Sequence, residues 1–211
     1  MMNLESYIQS LFVQKDEELE KITDSLLQAG MPTISVSPES GKLLTLLVKI
    51  SGAQNLLEIG ALGGYSGICL LRGDDIANLT SLELHETYAD MAKQHVEEAG
   101  FKDRVRYKIG PALDSLKQLK RDRITYDFFF IDADKGNYVN YLDYCIQLAS
   151  PGALIIADNT LWGGEVLNEH TENKDTKALQ TYNRKVADHP QLESLLVPLG
   201  DGLTIARLKS K

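Results

Sequence analysis

The sequence predicts an α/β fold: one doubly wound, mostly parallel sheet with an N-terminal helical cap and a closing antiparallel hairpin. Three observations carry this. From Asn55 onward, short apolar runs alternate with helix-period segments, the pattern of parallel strands joined by crossover helices. Before that point the chain holds only helical periodicity. The last two apolar runs, in LESLLVPLGDGLTIARL, flank Gly200-Asp201-Gly202, a hairpin turn that makes at least one strand antiparallel.

In chain order, LESYIQSLF and DEELEKITDSLLQA space apolar residues three and four apart and read as helices. Gly30, Met31 and Pro32 break the second. Ser37 caps a third, with Pro38 at its first position, and that helix runs to Gly52. NLLEI is a short buried strand, followed by a glycine-rich turn and a helix through YSGICLLRG. NLTSLEL is the next strand, and Thr87 to Ala99 the next helix, stopped by Gly100. Strand RVRYKI leads to helix ALDSLKQL, and strand YDFFFI to helix YVNYLDYCIQLA. Pro151-Gly152 turns the chain into strand ALIIA. After the loop DNTLWGGEVLNEHTEN comes a helix through ALQTYNRKVADH, then the hairpin.

A chain of 211 residues with 43% hydrophobic and 25% charged residues suits one domain, 1–211, divided into a helical cap over 1–52 and a core over 53–211. The net charge of −8 argues against a nucleic-acid or anionic-membrane partner. Cys69 and Cys145 stand far apart and read as reduced core thiols of a cytoplasmic protein. MMNLESYIQS lacks the basic flank and apolar stretch of a signal peptide, and no apolar run approaches the roughly 20 residues of a membrane span.

Ligands of open α/β sheets bind beyond the carboxyl ends of the strands. The first strand ends in Glu58-Ile59-Gly60, and Gly60, Gly63 and Gly64 suit either a ligand cradle or a plain tight turn. The pattern G-x-G-x-x-G fails, because Leu62 holds its third position. Glu58, Glu83, Asp132 and Asp134, at the ends of the first, second and fourth strands, would repel a pyrophosphate and welcome a cationic cofactor with a ribose diol. S-adenosylmethionine has both. Glu83, at the tip of the next strand, stands where an acid holds ribose hydroxyls, or is a solvated strand end. Asp132 ends YDFFFI, and Asp158-Asn159 ends ALIIA. If the two strands are neighbours, three oxygen donors meet, suited to Mg²⁺, Ca²⁺ or Mn²⁺. Lys135, three residues past Asp132, reads as a base activated by that site, or as an ion-pair partner of Asp134. His85, His95, His170 and His189 show no ligand spacing and read as surface residues.

Four runs in order, LLEIGALGGYSG, YDFFFIDADKGNY, IIADNTLWGGEV and PLGDGLTIARL, resemble the cation-dependent O-methyltransferases, whose members include the caffeoyl-coenzyme A and catechol enzymes. The resemblance spans nearly the whole chain. It implies a seven-stranded, Rossmann-like methyltransferase sheet and a homodimer. It also implies metal ligation by Asp132, Asp158 and Asn159, with Lys135 as general base. Cofactor contacts are implied at Val36, Glu58, Gly60, Ser66, Glu83, Ala112, Asp132 and Asp134, and Trp162 beside the acceptor ring. Ala133-Asp134 stand where catechol enzymes carry His-Trp, and Gly163 where plant caffeoyl-coenzyme A enzymes carry Asn. The expected acceptor is therefore a small vicinal diphenol. One rival is a tRNA hydroxyuridine methyltransferase using Lys102, Arg104, Arg106, Lys108, Lys117, Lys120, Arg121 and Arg123 as a basic patch. The other rival is a non-catalytic cofactor-binding module.

Overall fold

Helix caps written into the sequence set the cap region. The computed structural model describes residues 4–210. Helix α1 spans Leu4–Phe12, α2 Glu17–Gln28 and α3 Pro38–Ser51. Asp16 opens α2 by accepting the Leu19 N–H at 3.2 Å, and Ser37 opens α3 by accepting the Ser40 N–H at 3.2 Å. Gly52, left-handed at φ +66°, closes α3.

The rest alternates as expected: β1 (Asn55–Ile59), α4 (Tyr65–Leu71), β2 (Asn78–Glu83), α5 (Glu86–Glu98), β3 (Val105–Ile109), α6 (Ala112–Arg121), β4 (Tyr126–Ile131), α7 (Tyr138–Leu148), β5 (Ala149–Ala157), α8 (Lys174–Asp188), β6 (Leu192–Val197) and β7 (Leu203–Leu208). The strands form one sheet in the order β3-β2-β1-β4-β5-β7-β6, with only β7 and its two neighbours paired antiparallel. The chain winds outward from β1 in one direction and from β4 in the other, so the crevice for ligands lies at their carboxyl ends.

Burial on both faces explains the unbroken apolar run of β4. Phe129 and Ile131 face α6, α7 and α8 with Leu57 and Ile59; Phe128 and Phe130 face α2, α3 and α4 with Leu56. Each fully buried side chain of this size contributes about 1.5–3 kcal/mol relative to exposure. The helices α2 and α3 share this second core through Ile22, Leu26, Leu44 and Val48.

Two expectations need correction. Strand β5 starts at Ala149, so Pro151-Gly152 lies inside it; Tyr126 pairs with Ala149 but Phe128 with Leu154. Proline has no N–H for the ladder, and the strand bulges there instead of ending. Helix α8 starts at Lys174, directly after the loop expected to end at Asn173, whose side chain caps it by accepting the Asp175 and Thr176 N–H groups at 2.9 and 3.0 Å. His95 is buried rather than on the surface, and its Nδ1 lies 2.8 Å from the Gly63 carbonyl oxygen. No helix among the described residues is long and apolar enough to cross a membrane.

Candidate active site

The glycine turn after β1 is clamped between two acids. Gly60 has φ +97°, and a Cβ there would collide with the Asp132 carbonyl oxygen, so glycine is required. Glu83, buried at the end of β2, accepts the Ala61 and Leu62 N–H groups at 3.0 and 2.9 Å and the His85 N–H at 2.9 Å. It thus shapes the turn, and it keeps carboxylate lone pairs for a further donor. Glu58 lies under the turn, fully buried. It accepts the Ser66 hydroxyl at 2.5 Å and the Ser81 hydroxyl at 2.6 Å. Burial drives its carboxyl up to about 7, helped by the charges of Asp132 and Glu83 and opposed by the two serine bonds.

Strands β4 and β5 are parallel neighbours, with Ile131 beside Ala157, so Asp132 and Asp158-Asn159 leave the sheet side by side. Asn159 is left-handed at φ +57°. Lys135 is buried between them and donates to Asn159 Oδ1 at 2.7 Å, Asp132 Oδ1 at 3.2 Å and the Tyr138 hydroxyl at 2.7 Å. The Tyr138 hydroxyl donates onward to the Asp158 carbonyl at 3.0 Å. Three acceptors match the three hydrogens of an ammonium. Asp158 is pushed up to about 7, first by burial and then by the charge of Asp132, against the Asn159 N–H and Lys135. The alternative pairing of Lys135 with Asp134 does not occur. Asp134 instead accepts from Tyr141 and, at 2.6 Å, from the Asn137 amide.

The donor set fits a divalent cation. Its oxygens are hard, Asp132 and Asn159 already converge on positive charge, and the two acids repel each other without one. No trio of His, Cys, Asp and Glu gathers among the described residues, because the third donor is an amide.

Trp162, half-buried, sets its ring 5.7 Å from Lys135 Nζ, within cation–π range. Ala112 opens α6 just past Gly110, whose N–H donates to the Glu83 carbonyl at 2.9 Å. Val36 borders a cavity of about 810 Å³ between α1, α2, α3 and α4, whose lining includes neither Asp132 nor Asp158. Two carboxylates at that cavity, Asp16 and Glu20, are already paired with Arg72 and Lys15, so the strand ends remain the place for chemistry.

Sequence reasoning missed the supports of this site. Tyr138 reads as the first residue of a helix, yet it holds Lys135. Asp201 reads as a hairpin turn, yet its carboxylate accepts the Gly163 N–H at 2.6 Å and its carbonyl the Leu161 N–H at 2.9 Å. The antiparallel register Ala157 with Thr204 brings that turn to the Trp162 loop. Part of the proposed basic patch is engaged within the chain. Lys102 bonds Glu97, Lys117 bonds Asp114, and Arg104 donates to the carbonyls of Leu71, Asp74 and Ala77.

A sheet of this order with acids and a glycine turn at its carboxyl edge defines a Rossmann-like methyltransferase. Residues 9–209 match the O-methyltransferase family model, and the chain belongs to that family. It is 34% identical to a catechol O-methyltransferase of Niastella koreensis, over 98% of this chain and 97% of the relative. It is 31% identical to caffeoyl-CoA O-methyltransferase 5 of Nicotiana tabacum, over 94% and 87%. Among solved structures, the Bacillus cereus O-methyltransferase in complex with SAH superposes with a TM-score of 0.91 at 37% identity, over 96% of each chain. The O-methyltransferase TomG of Streptomyces achromogenes, in complex with SAM, gives 0.89 at 30%, over the whole of both. The chain is an S-adenosylmethionine-dependent O-methyltransferase.

Proposed function

We propose that the enzyme methylates one hydroxyl of a vicinal diphenol, of catechol, caffeoyl or flavonoid type. In this reading Asp132, Asp158 and Asn159 hold a divalent cation, magnesium before calcium or manganese, and Lys135 takes the hydroxyl proton. The observation that carries the reading is the meeting of Asp132, Asn159 and Lys135 at adjacent strand ends, with Nζ 3.2 and 2.7 Å from the two oxygens. A cation bound there supplies positive charge that favours an ionised acceptor hydroxyl. In this reading Lys135 receives the proton in its neutral form, and Trp162, its ring 5.7 Å from Nζ, lies beside the acceptor. Glu83, Gly60, Ser66, Ala112, Asp134 and Val36 seat the methyl donor, with Glu83 on its ribose and Glu58 buried beneath. Orientation of donor and acceptor contributes most, on the order of 7–11 kcal/mol.

The names of the relatives support this acceptor class, since catechol and caffeoyl groups both carry adjacent ring hydroxyls. A homodimer belongs to the same proposal; Tyr7, Leu11 and Phe12 on α1 and Ile50 on α3 are apolar and exposed. The test is transfer of labelled methyl from S-adenosylmethionine to catechols, single-hydroxyl phenols and hydroxyuridine tRNA, with and without chelator. The proposal expects transfer to catechols alone, abolished by chelator. Equal transfer to single-hydroxyl phenols, or full turnover in chelator, contradicts it.

A further inference from the structure

His95 lies on α5, away from the metal-type cluster, and its ring is buried. A carbonyl oxygen only accepts, so the 2.8 Å contact with Gly63 requires the hydrogen on Nδ1. The peptide between Gly63 and Gly64 is held from its other side as well: the Gly64 N–H donates to the Ala61 carbonyl at 2.8 Å. Gly64, at φ +88°, lies flat on α5, where an added Cβ would come 3.2 Å from Ala92 Cα, one helical turn before His95. The other end of the same turn hangs on Glu83 through the Ala61 and Leu62 N–H groups. Glu83 also binds the His85 N–H, at the start of α5. The end of β2 and the helix that follows it therefore grip the glycine turn at both ends, one by its N–H groups and one by its carbonyl.

We propose that His95 is a positioning residue for the methyl donor: its Nδ1–H fixes the Gly63-Gly64 peptide and so holds the turn over residues 60–64 in its donor-receiving shape. The inference rests on that turn being the donor's seat. Without the ring hydrogen, the Gly63 carbonyl is buried with no partner, and the turn gains other conformations that satisfy it. Donor affinity falls by the fraction of molecules that leave the competent shape. The reacting groups at Lys135 are untouched, so the turnover at saturating donor stays.

Geometry selects the test variants. Asparagine carries its Nδ2 on Cγ, as histidine carries Nδ1, and can reach Gly63; the glutamine amide sits one carbon farther out. His95→Leu is expected to weaken S-adenosylhomocysteine binding about tenfold by calorimetry, and to raise the KM for S-adenosylmethionine by about as much, with kcat within about twofold. His95→Asn should restore most of the affinity and His95→Gln should not. A leucine variant that is folded and binds within about twofold of the native protein overturns the inference, since a lost buried bond of this kind is worth at least about fivefold. So do equal affinities for the asparagine and glutamine variants, a comparison that decides the matter even where the leucine variant fails to fold. Glu83→Gln separates the two levels. If it too binds normally, the donor sits elsewhere and the underlying reading fails with the inference. If it binds weakly while His95→Leu does not, only the role of His95 is lost.

Discussion

Replacing Glu58 by glutamine should remove a pH dependence from stability. In the native protein the carboxyl is fully buried and titrates at about 7, against an ordinary 4.5. Between those values the folded state holds a proton that the unfolded state has released. Stability therefore falls as pH rises through this window, and the Glu58 contribution is gone above the folded value. Integrating the two titrations gives on the order of 2–3 kcal/mol at pH 5 relative to pH 8. Glutamine has nearly the same shape and no such term, and the Ser66 and Ser81 hydroxyls can rotate to meet its amide. Urea unfolding of both proteins at pH 5 and pH 8 measures the difference, since other titrating groups cancel between them. The variant should gain on the order of 2–3 kcal/mol on the native protein between the two pH values. A difference that does not change between the two pH values, or one that moves the other way, would refute the raised carboxyl of Glu58.

Two further variants address the ligands. Glu83→Ala should weaken S-adenosylhomocysteine by roughly 1.5–3 kcal/mol, the value of a charged hydrogen bond, and unchanged affinity in calorimetry would remove Glu83 from the donor site. Asp158→Ala should lower turnover at fixed cation by at least about 10²-fold while the far-ultraviolet spectrum and donor affinity persist; retained turnover after verified metal removal would sink the cation role.

The sheet was legible because each signal was local. An apolar run such as Phe128 to Ile131 needs burial on both faces, and Ser37-Pro38 or Gly100 needs only its neighbours to act. The cluster at Asp132, Asp158 and Asn159 was legible conditionally: the types were visible, and only the adjacency of β4 and β5 was not. What stayed hidden depended on contacts far apart in the chain. Nothing near Lys135 in sequence tells whether it pairs with Asp132 or Asp134, because the choice is made by Asn159 and by Tyr141. His95 on a largely polar helix looks like a surface residue until the glycine turn is folded onto α5. The hairpin at Asp201 shows its turn chemistry but not the Trp162 loop it supports, which follows from the register of β5 with β7. Periodicity reports which face a residue takes, not what it meets there.

The most direct test of the reaction centre is kcat for Lys135→Ala and Lys135→Arg at saturating donor, cation and catechol. With Lys135 as the base, alanine should cut kcat by about 10²–10⁴-fold while donor and cation still bind. Arginine should not rescue it, because the guanidinium stays protonated. Retention of more than about a tenth of kcat by the alanine variant lies below the range for a general base and would contradict the assignment.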